Sequence, residues 1–134
     1  MRVISGSARG TKLAAAGEDI TRPTVDRVKE GMFSALQFIL PGAKVLDLFA
    51  GSGQLGIEAL SRGAASCVFV DQDRGAVRIV EQNCKPPVCR PRAGFATPER
   101  IHFWPAAGSS STLCCWIRPT AMTRWPRSCL RWRG

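Results

Sequence analysis

A glycine-rich turn between an apolar segment and a helical one is the feature that most narrows the possible folds. Residues 44–50, KVLDLFA, form a mostly apolar run of strand length, and residues 51–64, GSGQLGIEALSRGA, follow with apolar residues at helical spacing. The same order recurs, with SCVFVD over residues 66–71 and DRGAVRIVEQN over residues 73–83. Strands that alternate with helices in this way predict an α/β fold with a parallel sheet.

The residues before this unit predict a hairpin and a further helix. The short segments RVIS and TKLAAA flank a turn from Gly6 to Gly10, which favours a hairpin. In TRPTVDRVKEGMFSALQFIL, apolar residues recur at intervals of three and four and predict the buried face of an amphipathic helix. That face comprises Val25, Val28, Met32, Ala35, Leu36 and Ile39. We expect Thr24 to cap the helix and Pro41-Gly42 to end it.

The turn after the first strand carries the pattern G-x-G-x-x-G at Gly51, Gly53 and Gly56. Glycines at these positions allow a tight turn, a close approach of the backbone to a ligand, and a helix N-terminus whose free amides face that ligand. The pattern alone is weakly specific, because glycines also occur where a strand simply turns into a helix.

Two carboxylates make the glycine pattern more informative. Asp71 ends the second strand, 20 residues after Gly51, where an acid can accept hydrogen bonds from both hydroxyls of a ribose. Asp47 precedes the loop within the first strand, which is awkward for a pyrophosphate and suits a cationic ligand such as S-adenosylmethionine. The alternative for Asp47 is an acid that caps the amides of the loop. A dinucleotide-dependent oxidoreductase is therefore disfavoured, although the spacing of Asp71 alone permits one.

Several segments together resemble the bacterial 16S ribosomal RNA guanine-N2 methyltransferase family. They are MRVISGSARGTKL, TRPTVDRVKEGMF, VLDLFAGSGQLGIEALSRGA, VFVDQD and IVEQN, and they cover residues 1–83 almost continuously. The resemblance implies a Rossmann-like, S-adenosylmethionine-dependent methyltransferase fold, truncated here to its N-terminal part and followed by an irregular basic tail. It also implies methylation of a guanine amine in 16S rRNA of the small ribosomal subunit or its precursor.

The resemblance also implies which residues form the site. The cofactor would be held by residues at the ends of the two strands and in the glycine loop: Asp47, Phe49, Gly51, Ser52, Gly53 and Asp71. Basic residues near the N-terminus would contact RNA phosphates, as groups that position the substrate: Arg9, Lys12, Arg22 and Arg27. The alternative for each of these basic residues is an ordinary solvated surface.

The composition of the chain changes sharply after Asn83. Residues 1–83 contain 10 Lys and Arg against 9 Asp and Glu, a net charge of +1, whereas residues 84–134 contain 9 against 1, a net charge of +8. The second part also contains all four tryptophans and five of the six cysteines. Arg and Trp interleave in TRWPRSCLRWRG, so a non-catalytic RNA-binding protein is an alternative. The cysteines form no C-x-x-C pair, and we expect no metal site.

The catalytic motif that the resemblance requires is absent. Amino methyltransferases of this kind need Asp-Pro-Pro-Tyr or Asn-Pro-Pro-Tyr after the fourth strand, to hold the target amine in line with the methyl group. The chain contains no such tetrad and no tyrosine. We therefore expect it to be catalytically inactive.

A change of reading frame would explain both the composition and the missing motif. When the last base of each codon is joined to the first two of the next, Cys114 to Trp116 must encode Leu-Leu, and Trp116 to Ile117 must encode Asp. Neighbouring junctions permit the string Phe-Asp-Leu-Val-Leu-Leu-Asp-Pro-Pro-Tyr. The sequence thus predicts that residues 84–134 are an out-of-frame, disordered tail, with a native but divergent tail as the alternative.

The length of 134 residues allows one domain at most. The N-terminus, MRVISGSARG, lacks the apolar core and cleavage site of a signal peptide, and no apolar run approaches the length of a membrane span. These features predict a cytoplasmic protein.

Overall fold

The computed structural model describes residues 1–15, 26–85, 89, 93–96 and 112–115. The described residues form three helices and four strands in this order: α1 Asp26–Leu36, β1 Lys44–Asp47, α2 Gln54–Ser61, β2 Ser66–Val70, α3 Arg74–Asn83, β3 Ala93–Ala96 and β4 Thr112–Cys115. None of these helices is long and apolar enough to cross a membrane.

The four strands form one parallel sheet in the order β3-β2-β1-β4. Lys44 of β1 is in register with Ser66 of β2 on one side and with Thr112 of β4 on the other. This order confirms the predicted α/β fold and matches the central strands of a doubly wound sheet. Because the strand order reverses direction between β1 and β4, the carboxyl ends of these two strands are where such sheets bind ligands.

The helix α2 packs closely against the sheet, and the third glycine of the loop makes this possible. A Cβ atom on Gly56 would lie 2.3 Å from a ring carbon of Phe69 and 2.6 Å from the sulfur of Cys67, both in β2. Ile57 on the same helix is completely buried. Gly56 therefore contributes helix–sheet contact rather than an unusual backbone conformation.

Residues 1–15 form the predicted N-terminal hairpin, with an antiparallel bridge between Arg2 and Lys12. The hairpin docks on α2 through polar contacts that are largely buried. The Glu58 carboxylate accepts hydrogen bonds from the backbone amides of Ile4 and Ser5 at 2.8 and 3.0 Å. It also accepts one from Arg62 at 2.8 Å, so its buried charge is paired and hydrogen-bonded.

The buried face of α1 matches the predicted one only in part, because Met32 and Leu36 are partly buried against the core but other predicted residues are not. Lys29 and Phe33 are buried, whereas Val28 and Ile39 are 55% and 50% exposed, and Ala35 is exposed as well. The Lys29 ammonium donates to the carbonyl of Arg2 at 3.1 Å and pairs with Asp26. The contact with the hairpin therefore allows a lysine to be buried on this face, which the spacing of apolar residues cannot predict. Val25 and the predicted cap Thr24 lie outside the described residues.

Two strands lie after Asn83, where the sequence pattern predicted none. Both β3 and β4 have only four residues, too few to establish an alternating pattern. Their place is set by pairing with β2 and β1, and in β3 the ring of Phe95 stacks on Phe69 with the ring centroids 5.9 Å apart. The formation of these two strands thus depends on pairing with distant strands, which the local sequence does not encode.

Replacement of Gly56 by alanine tests the packing of α2 on the sheet. We expect Gly56→Ala to lower the free energy of unfolding by about 1–3 kcal/mol, because the added methyl group has no space against Phe69 and Cys67. Gly31→Ala is the matched control, since a Cβ atom there meets nothing within 4 Å and alanine favours the helix by up to about 1 kcal/mol. Urea titrations followed by circular dichroism measure both changes. Equal effects of the two substitutions would contradict the packing argument.

Candidate functional site

The glycine loop follows the carboxyl end of β1, at the edge of the sheet where its order reverses. Gly51 and Gly53 have φ angles of 54° and 76°, which side-chain-bearing residues adopt only with strain. Gly53 is the N-cap of α2 and so supplies no side chain to the amides of the first turn. The turn therefore brings backbone close to the site and directs a helix N-terminus towards it.

Asp47 lies beneath this loop and is almost completely buried, with 2% of its surface exposed. Its carboxylate accepts a hydrogen bond from the Gly56 amide at 3.0 Å and another from the backbone of Phe49. These contacts correspond to the alternative predicted for Asp47, an acid that caps loop and helix amides. Burial and, to a smaller extent, the Asp71 carboxylate raise the pKa of Asp47 to about 7, against the opposing effect of the amides of Gly56 and Phe49.

Asp71 follows β2 and reaches back to the glycine loop. One of its carboxylate oxygens accepts a hydrogen bond from the Gly51 amide at 2.8 Å, and the other accepts one from the Asp73 amide at 2.9 Å. An ionised carboxylate has about four lone-pair positions, so two amides leave capacity for a ligand. The sequence-predicted pair of Asp47 and Asp71 thus holds the two sides of one loop.

Ser52, in the middle of the loop, is buried under the N-terminal hairpin. Its hydroxyl donates to the sulfur of Met1 at 3.4 Å, and its carbonyl accepts from the Asn83 side chain at 2.9 Å. Phe49, also predicted to bind cofactor, is partly buried just before the loop. All six predicted cofactor residues therefore lie in or directly beside the glycine loop.

Two polar residues at this site were missed by sequence reasoning. Asn83 is the last residue of α3 and contacts the loop, although nothing in its local sequence marks it. Gln54 begins α2 and is buried, and its side-chain oxygen has no hydrogen-bond partner among the described residues. Its position directly after Gly53 was the available signal for Gln54.

The predicted RNA-contacting residues that the structure describes are all exposed. Arg9 and Lys12 are exposed on the hairpin, and Arg27 is exposed in the first turn of α1. The ion pair of Arg2 with Asp26, at 3.4 Å, holds the hairpin next to that first turn. Arg22, with Pro23 and Thr24 of the RPT element, lies outside the described residues.

Two of the cysteines lie close together. The Cys84 and Cys89 sulfurs are 2.9 Å apart and buried, and their shared hydrogen bond together with burial raises the pKa of Cys84. Within the described part of the chain, no group of three or more His, Cys, Asp and Glu residues could hold a metal ion.

Comparison with known proteins identifies a related family. The sequence model of a family described as "Conserved hypothetical protein 95" matches residues 1–97. The chain is 54% identical to YlbH of Bacillus subtilis over 85 residues, 63% of this chain and 46% of that protein. It is 43% identical over 83 residues, 62% of the chain and 42% of the relative, to "Ribosomal RNA small subunit methyltransferase D" of Escherichia coli K12.

Solved structures agree with these relatives. The chain superimposes on the protein yhhF from Escherichia coli with a TM-score of 0.63 and 36% identity, covering 72% of this chain and 51% of that one. The hypothetical protein TTHA0928 of Thermus thermophilus gives a TM-score of 0.63 and 33% identity, covering 74% and 57%. The chain spans a little under half the length of the curated relatives it matches.

The raised pKa of Asp47 predicts a pH-dependent stability. The folded protein holds a proton at Asp47 that the unfolded chain releases above its ordinary pKa of 3.8, so stability falls as pH rises from there to about 7. Above about pH 7, burial of the ionised carboxylate lowers the free energy of unfolding by its full amount, up to about 4 kcal/mol. Asp47→Asn cannot ionise and keeps an acceptor for Gly56. We therefore expect the free energy of unfolding of this variant, relative to wild type, to rise between about pH 4 and 7.

The matched control for this experiment is Glu81→Gln, which removes a carboxylate from the exposed face of α3. The difference in free energy of unfolding between Glu81→Gln and wild type should stay constant over the same range of pH. A flat difference for Asp47→Asn as well would show that Asp47 is ionised in the folded protein.

Proposed function

Since the chain belongs to the family described as "Conserved hypothetical protein 95", we propose that residues 1–83 form the cofactor-binding part of a methyltransferase that uses S-adenosylmethionine and acts on guanine N2 of 16S rRNA. The observation that carries the proposal is the contact of Asp71 with the Gly51 amide, at the sheet edge where ligands bind in such folds.

The contacts of Asp71 suit the ribose of the cofactor. Its two oxygens are oriented by the amides of Gly51 and Asp73, so neither oxygen must reorganise before it accepts hydroxyl protons. Gly51 and Gly53 carry no Cβ atom, and their positive φ angles favour glycine, so the backbone of the loop can approach a ligand closely. The residues present therefore fit an adenosine cofactor at this position.

The charge of Asp47 suits the other end of the cofactor. When bound, S-adenosylmethionine supplies a methyl group on a positively charged sulfur. A buried carboxylate below the loop favours such a cation, and the cation in turn favours the ionised form of Asp47. This arrangement distinguishes the site from one for a pyrophosphate, which Asp47 would repel.

The exposed basic residues provide a surface for RNA. Arg9 and Lys12 on the hairpin, with Arg27 on α1, present exposed positive charge, and phosphate contacts of this type fix the orientation of a nucleic acid. The Arg- and Trp-rich residues 123–134, on which the alternative of a purely RNA-binding protein rests, lie outside the described residues.

The catalytic step requires side chains that the chain does not supply. In the sheet, Cys115 at the end of β4 is in register with Asp47 at the end of β1. An Asp-Pro-Pro-Tyr or Asn-Pro-Pro-Tyr motif after β4 would therefore lie beside the glycine loop, where the target amine must meet the methyl group. The sequence that follows Cys115 is WIRPT. We propose that the chain is catalytically incomplete for this reason.

Cofactor binding is tested by calorimetric titration of S-adenosylhomocysteine into the 134-residue protein. We expect Asp71→Asn to weaken binding about 10- to 100-fold, because a charge-assisted hydrogen bond contributes about 1.5–3 kcal/mol. Glu81→Gln, which changes charge on the exposed face of α3, should bind as wild type does. Titration with NAD⁺ checks the dinucleotide alternative, and tighter binding of NAD⁺ than of S-adenosylhomocysteine would overturn the proposed cofactor.

Catalytic incompleteness is tested by methyl transfer from labelled S-adenosylmethionine to small ribosomal subunits. We expect no transfer by the 134-residue protein, and transfer by a version whose gene is shifted by one nucleotide before the codon for Cys84. Turnover by the unaltered chain would disprove incompleteness. A gene whose neighbouring frame does not encode a string like Leu-Leu-Asp-Pro-Pro-Tyr at Cys114 to Thr120 would disprove the frame change.

A further inference from the structure

Asn83 makes three hydrogen bonds that join distant parts of the chain. Its side-chain oxygen accepts from the Ala14 amide at 2.8 Å. Its side-chain nitrogen donates to the Ala14 carbonyl at 3.0 Å and to the Ser52 carbonyl at 2.9 Å. Asn83 is 8% exposed, and its amide group uses both of its donor hydrogens and its acceptor oxygen in these contacts.

These contacts fix one peptide unit of the glycine loop. The carbonyl of Ser52 and the amide of Gly53 belong to the same planar peptide and point in opposite directions. Asn83 holds the carbonyl, and the carbonyl of Ala50 accepts from the Gly53 amide at 2.6 Å. A peptide bonded on both sides cannot rotate without breaking a buried hydrogen bond.

The hydrogen bonds of the Asn83 side chain do not cap or stabilise α3, the helix to which it belongs. The C-cap of α3 is Cys84, whose backbone amide donates to the carbonyl of Val80 at 2.8 Å. All three hydrogen bonds of the Asn83 side chain instead leave the helix, over separations of 69 and 31 residues. Helix stability alone therefore does not account for an asparagine at this position.

We propose that Asn83 is a positioning residue that sets the glycine loop in the conformation that binds cofactor and couples this loop to the N-terminal hairpin. The inference rests on the proposed function for its ligand. Because the hairpin also carries Arg9 and Lys12, occupancy of the loop is transmitted to the surface proposed to contact RNA. Coupling of this kind is a difference in free energy between two sites and acts in both directions.

The test uses two substitutions and a neighbouring control. Asn83→Ala removes all three hydrogen bonds. Asn83→Asp keeps an acceptor for the Ala14 amide but places a carboxylate oxygen against the Ser52 carbonyl. Gln82→Ala changes the adjacent exposed residue. For each protein, calorimetry gives the affinity for S-adenosylhomocysteine, and hydrogen exchange followed by NMR gives the protection of the Gly53 and Ala14 amides with and without that ligand.

We expect both Asn83 variants to bind S-adenosylhomocysteine at least about 10-fold more weakly, since a buried carbonyl is left unpaired, and Gln82→Ala to bind as wild type does. Relative to wild type, exchange of the Gly53 amide should speed up in both variants, and by a larger factor than exchange of the slowest core amides. Ligand should slow exchange of the Ala14 amide in wild type but not in Asn83→Ala. If Asn83 only stabilised the fold, its replacement would speed up exchange of all amides by a similar factor, and ligand would still slow exchange of the Ala14 amide.

The outcomes separate this inference from the proposed function. Wild-type affinity and wild-type Gly53 exchange in Asn83→Asp would overturn the positioning role. If wild type binds no S-adenosylhomocysteine, the proposed function fails, and the Gly53 exchange of the unliganded proteins decides the role of Asn83. If Asn83→Ala does not fold, the positioning role is tested with Asn83→Asp instead. The measurements are then its affinity for S-adenosylhomocysteine, the exchange of its Gly53 amide, and the effect of ligand on the Ala14 amide of wild type.

Discussion

The hydrogen bond from the buried Gly56 amide to Asp47 ties the end of β1 to the first turn of α2, and the geometry of the site depends on it. An N-cap side chain normally accepts from the amides of the first turn, but the N-cap here is Gly53, with a φ angle of 76° that favours glycine. Asp47 supplies the missing acceptor from the preceding strand. The loop can thus consist of glycine backbone, open to a ligand, without leaving this helix amide unpaired. The cost is a carboxylate whose pKa burial raises to about 7.

A second set of buried polar contacts makes the N-terminal hairpin part of the same unit. Glu58 and Ser61 of α2 bind the backbone of the hairpin on one side, and Asn83 of α3 binds it on the other. A two-stranded hairpin is marginally stable alone, so these contacts decide where it lies. They place Met1 against Ser52 and leave Arg9 and Lys12 exposed. The proposed RNA surface and cofactor loop therefore belong to one connected structure.

Local patterns in the sequence were sufficient for the order of the elements as far as α3 and for the glycine loop. The alternation of strands and helices, the positive φ angles of Gly51 and Gly53, and the position of Asp71 beside them all follow from spacing. Asn83 and the contacts of Glu58 with the hairpin could not be found in this way, because the partners lie 31 to 69 residues away and no short pattern marks them. The predicted buried face of α1 was only partly right, with Met32 and Leu36 against the core, for a related reason. Lys29 is buried because the carbonyl of Arg2 and the carboxylate of Asp26 satisfy its ammonium, and apolar periodicity carries no information about such partners.

The strand β4 illustrates how a fold and its chemistry would respond differently to the proposed change of frame. A parallel strand is held by backbone hydrogen bonds, which almost any residues can supply, and Thr112–Cys115 pairs with β1 in full register. The junctions across these residues permit Asp-Leu-Val-Leu in the neighbouring frame, at a place where this fold has a buried strand. The proposed methyl transfer, by contrast, would require particular acceptors and an aromatic ring at the carboxyl end of that strand. A chain read out of frame can therefore still occupy the position of β4 beside Asp47 while lacking the groups that would hold the target amine.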